Sequence, residues 1–180
     1  MRKIGMWILH HFVRVIWANL FGFCVWIGKL FTADRNLYKQ RKMLWNDIKD
    51  IDGLVDFIRN VYQYKFDGYK GAFDHNNFPL EFFTQFGDCD DVATYAKKKL
   101  RQIYGNDLQY CEIRGFSNLG VKFWHYDCVY KLRTEYEYRL FNYGNIQTAL
   151  SLRDIDEVMR QLYSRSYELD HVTGWRCLWM

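Results

Sequence analysis

At Gly105-Asn106 the apolar period of this chain changes, and that change constrains the fold more than any other feature. Upstream, Val92, Ala93, Ala96, Leu100 and Ile103 recur at the i, i+3/i+4 spacing of an amphipathic helix. Downstream the apolar residues alternate. Leu108–Phe116, Val121–Leu132 and Tyr136–Tyr143 read as strands, with a turn at Ser117-Asn118-Leu119-Gly120 between the first two. Helices first and an antiparallel meander after them predict an α+β fold with helices packed on the sheet.

Further elements fill in on both sides. Leu44, Ile48, Ile51, Leu54, Val55, Ile58, Val61 and Tyr62 form an apolar stripe that predicts one helix over 43–66. Asp67-Gly68 and the Gly/Asn/His-rich stretch up to Asn77 read as a loop. Pro79, the single proline, opens a short helix to about Phe86. A last helix starts near Ser151, where Ser151-x-x-Asp154 resembles a capping box, and buries Leu152, Ile155, Val158, Met159 and Leu162.

Charge separates an N-terminal arm (1–42) from the expected domain (43–180). Residues 1–49 hold nine Lys/Arg against two Asp/Glu, whereas the rest holds sixteen against nineteen. A mildly acidic body argues against nucleic-acid binding. Residues 4–31 are strongly apolar, but the uncharged run from Val15 to Gly28 falls short of the ~20 residues of a membrane span. Three readings stand: an in-plane membrane helix anchored by Trp7, Trp17 and Trp26, a span tolerating Arg14 and the histidines His10 and His11 near one end, or a soluble hydrophobic hairpin or partner-binding helix. Arg35, Lys39, Arg41 and Lys42 would suit anionic head groups or a solvated helix face. Five cysteines without paired spacing point to free thiols in a reducing compartment, hence a cytoplasmic protein, membrane-associated under the first two readings of the arm.

The chemistry concentrates in Gly87-Asp88-Cys89-Asp90-Asp91. Cys89 falls in the first turn of the expected helix, where backbone N–H groups and the helix dipole favour a thiolate and can bind an oxyanion. The flanking carboxylates oppose that. A nucleophilic thiol needs a base, and the base needs an orienting partner. His125, mid-strand, is the candidate base, and Asn142, one strand later, the candidate orienting residue. Asp127 shares His125's strand face and is the other candidate partner, although neighbours on one strand aim at each other poorly. Gln85 is a weaker candidate for the oxyanion. Cys111, His125 and Cys128 could be imagined around zinc, but alternation puts His125 and Cys128 on opposite faces. No phosphate loop or dinucleotide fingerprint occurs, so neither a cofactor nor a metal is expected.

These motifs resemble the transglutaminase-like superfamily of papain-fold thiol enzymes, which includes bacterial and phage transglutaminase-like cysteine peptidases. The residues that carry the likeness are Pro79-Leu80-Glu81-Phe82-Phe83 leading into Gly87-Asp88-Cys89-Asp90-Asp91, then Trp124-His125 and Asn142, with Tyr64-Lys65-Phe66-Asp67 upstream. It covers about residues 45–150. The resemblance implies a papain-like core and a Cys89-His125-Asn142 triad that attacks an amide of a protein or peptide substrate. Hydrolysis is expected over crosslinking. The family usually has aspartate where Asn142 stands, and papain-type relatives use an amide. The alternative is a catalytically inactive, membrane-attached interaction module on the same fold.

Overall fold

In the computed structural model, residues 33–63, 79–84, 87–117, 124–166 and 175–177 are described, with positions 24, 27 and 31 besides. The chain is α+β and divides into two units, Met1–Leu44 with Gln63–Asp88, and Trp45–Tyr62 with Cys89–Met180. The expectations for residues 4–30, for the 67–77 loop, for the 118–120 turn and for Gln85 lie outside, or almost wholly outside, the described residues. Among the described residues no helix is long and apolar enough to cross a membrane.

The single helix expected over 43–66 is two helices. α1 spans Arg35–Asp47 and α2 spans Ile51–Asn60. Asp50 causes the break. Its backbone is extended, and its Oδ1 accepts a 2.8 Å hydrogen bond from Gly53 N, so it caps a new helix where the apolar stripe alone would have continued the old one. Asp34 starts α1 in the same way, accepting from the backbone N–H groups of Asn36 and Leu37.

In the first unit, α3 (Pro79–Thr84) buries Phe82 and Phe83. Its C-terminal carbonyls are satisfied by Arg41, whose Nη1 lies 3.3 Å from Phe83 O and 3.1 Å from Thr84 O. The ring of Tyr38 meets that of Phe83 edge-on.

The second unit is built on a five-stranded antiparallel sheet, ordered β4-β3-β2-β1-β5. α4 (Cys89–Tyr104) ends in a 3-10 turn, Gly105–Asp107, in which Gly105 takes a φ of 50°. β1 (Leu108–Ser117) then runs back along α4 and pairs with β2 (Trp124–Leu132). β3 (Tyr138–Asn142) and β4 (Asn145–Ala149) form a tight hairpin whose loop residues, Tyr143 and Gly144, have φ of 45° and 77°. Two positive values match the twist of the flanking strands. β5 (Trp175–Cys177) pairs with residues 114–116 of β1.

Each face of the sheet carries a helix. α4 packs on β1, β2 and β3, with Cys111 and Cys128 beneath it, and α2 packs on α4. Trp45 closes this layer against the rings of Phe57 and Tyr95 and under the ammonium of Lys99. α5 (Leu152–Ser166) covers the other face, where Val129, Leu140, Ile155 and Met159 form a core. Ser151 Oγ accepts from Asp154 N and donates to its carboxylate, so the expected cap is present.

Candidate active site

Cys89 is the first residue of α4 and is 7% exposed, with Asp90 and Asp91 buried in the same turn. The helix forms here because Val92, Ala93, Ala96 and Leu100 bury one stripe against the sheet. Because β1 returns antiparallel along the helix, its last residues stand level with the helix start. Phe116 and Ser117 pair with His125 and Trp124, so Cys89 and His125 belong to the same end of the sheet.

His125 is 4% exposed and its Nε2 lies 3.2 Å from Oδ1 of Asp127, itself 2% exposed. The expectation that same-strand neighbours would not meet is therefore corrected. The two side chains stand on one face of β2, and the strand's twist lets the imidazole reach along it. A carboxylate this deep is tolerated only when paired, and the imidazole supplies a donor. The ring of Tyr143 sits 5.8 Å from that of His125.

Asn142 is the last residue of β3 and faces Asn145 across the hairpin. The β2–β3 register pairs Cys128 with Phe141 and Val129 with Leu140; carried one residue further, it sets Asn142 opposite Asp127. The expected orienting residue is thus a neighbour in register of the carboxylate that bonds the histidine.

Alternation introduces a second constraint. His125 and Asp127 are in phase with Val129, on the face covered by α5, whereas α4 lies on the face of Cys111 and Cys128. Level along the sheet favours a meeting of Cys89 with His125; face does not.

The two other buried thiols form a pair. Cys111 Sγ and Cys128 Sγ are 4.0 Å apart. The hydrogen bond between them lowers the Cys111 pKa, while the same bond and burial hold that of Cys128 well above the usual thiol range. Among the described residues, neither these thiols nor His125 belongs to a three-ligand cluster of metal-binding side chains.

Sequence reasoning missed β4. Its signal was present in Asn142-Tyr143-Gly144-Asn145, a hairpin loop followed by the alternating Ile146-Gln147-Thr148-Ala149. No family model matches the chain, and neither a curated protein nor a solved structure matches it.

Proposed function

We propose that this chain is a thiol-dependent acyl-transfer enzyme that hydrolyses an amide bond, a cysteine peptidase or amidase of transglutaminase-like type. The observation that carries this reading is the buried His125–Asp127 pair, level with a cysteine at a helix start. A carboxylate bonded to Nε2 orients the imidazole, the work that a base partner must do. In this reading Nδ1 takes the Cys89 proton. The thiolate attacks the carbonyl carbon, and the first N–H groups of α4 receive the oxyanion. The proton passes to the leaving amine as the C–N bond breaks. Water, deprotonated by His125, then cleaves the thioester and restores the thiol. Asn142 would serve beside Asp127.

One observation favours a second reading, a catalytically inactive module on the same fold: along β2, His125 is in phase with Val129 of the α5-covered core and not with Cys128, the partner of Cys111.

Labelling with iodoacetamide near pH 6, followed by mass mapping, separates the two. Cys89 and Cys111 are equally enclosed, at 7% and 8% exposure, so a rate difference between them reports thiol chemistry and not access. Cys111 is a demanding comparator because its own pKa is lowered. The enzyme reading expects Cys89 to react faster and His125→Ala to remove the difference. Equal rates in the wild type would leave the inactive module.

A further inference from the structure

α1 presents exposed cations and exposed apolar side chains together. Its inner residues have structural work: Tyr38 packs on Phe83, and Arg41 caps the carbonyls of α3. Arg41, one of four cations that the sequence groups together, is thereby held half-buried against α3. The other three, Arg35, Lys39 and Lys42, are exposed and follow i, i+4, i+7 spacing, so they line one face of the helix, with the Lys42 ammonium 5.2 Å from the centroid of the Tyr38 ring. Met43 continues that row beyond Lys39 and is 65% exposed. Phe31, just ahead of the helix, is 85% exposed. The acids of this region are placed elsewhere: Asp34 is engaged in capping the helix start, and Asp47 ends the helix.

We propose that this outer face of α1 docks on an anionic phospholipid bilayer. The argument is charge complementarity joined to exposed apolar side chains. Three cations within two helical turns meet a negatively charged head-group layer, and each contributes through a field that decays within a Debye length. Met43 and Phe31 can enter the interface between head groups and acyl chains. A nucleic acid would use the same cations but would leave those apolar side chains in water. The apolar, basic sequence that precedes α1 continues in the same chemical character. The inference is independent of the proposed enzymatic activity.

The test is sedimentation of the full chain with vesicles of phosphatidylcholine alone, and with vesicles that also contain phosphatidylserine. The wild type is expected to prefer the anionic vesicles, and added salt should reduce that preference. Each lysine near an anionic surface is worth roughly fivefold in partitioning, so Lys39→Gln with Lys42→Gln should reduce binding to anionic vesicles about 25-fold. Binding to neutral vesicles should be unchanged by that pair. Met43→Ser should weaken binding to both vesicle types. All three positions are exposed, so the fold is retained. Equal binding of the wild type to both vesicle types would overturn the proposal. So would an undiminished anionic preference in the double variant. Retention of duplex DNA in preference to vesicles, lost with the same lysines, would assign the face to nucleic acid instead.

Discussion

Gly115 offers a prediction whose sign opposes the usual one. Replacing a strand glycine with alanine ordinarily stabilises by roughly 0.5–1 kcal/mol, because the unfolded chain loses freedom. Here Gly115 pairs directly with Tyr126, whose ring lies over it. A Cβ at Gly115 would meet Tyr126 Cε1 at 2.3 Å and Cδ1 at 2.4 Å, with His125 O at 3.4 Å. Carbon atoms in contact rest about 3.5–4.0 Å apart, so the ring must retreat by more than an ångström. Overpacking of this kind costs about 1–3 kcal/mol, which exceeds the entropic gain. Gly115→Ala should therefore lower the urea midpoint at unchanged m-value, by the equivalent of about 1–2 kcal/mol. In a Tyr126→Ala background the same change should be neutral or stabilising, since the obstructing ring is gone. A Gly115→Ala protein as stable as the wild type would refute the reasoning, as would an equal loss in both backgrounds.

Two further outcomes test other parts of the fold. Asp50→Ala removes the acceptor for Gly53 N and should cost about 1 kcal/mol in denaturant unfolding, with Asp50→Asn retaining most of it. Tyr130 is fully buried, and desolvation pushes its pKa from 10.0 up to about 12. The folded state thus holds that proton more tightly than the unfolded one, so its contribution is complete below pH ~10 and is lost as pH rises towards 12. A loss of roughly 3 kcal/mol across that window is expected, and Tyr130→Phe should flatten the alkaline limb of the stability profile.

Residues whose spacing sets a single period were legible in the sequence. The helix from Cys89 to Tyr104 and the strands through Cys111, Val129 and Leu140 follow from where apolar side chains recur. The break at Asp50 was not, because an apolar stripe registers a continuous face and cannot sense a cap that restarts the helix. β4 was missed although Gly144 and the alternation after it signal a hairpin, because Tyr143, the other left-handed residue of the loop, is not a usual turn residue. In the candidate site, Cys89 and His125 could be named from residue type and element. The bond from His125 to Asp127 was only one of two candidates, since alternation gives a side chain's face but not its reach along the strand. The place of Asn142, one residue beyond the paired Phe141 and opposite Asn145, depends on hairpin geometry that the chain settles only when folded.

The His125–Asp127 pair also has a consequence for how its chemistry comes into being. Only one residue separates the partners, so no loop must close to bring them together, and the pair can form once β2 is extended. What long-range structure supplies is orientation. A one-residue slip of β2 against β1 would send both groups through the sheet together and bring Tyr126 and Cys128 to their positions. The pairing of Gly115 with Tyr126 therefore acts as a registration mark: by holding β2 in frame, it fixes the side of the sheet on which the acid–base pair is displayed.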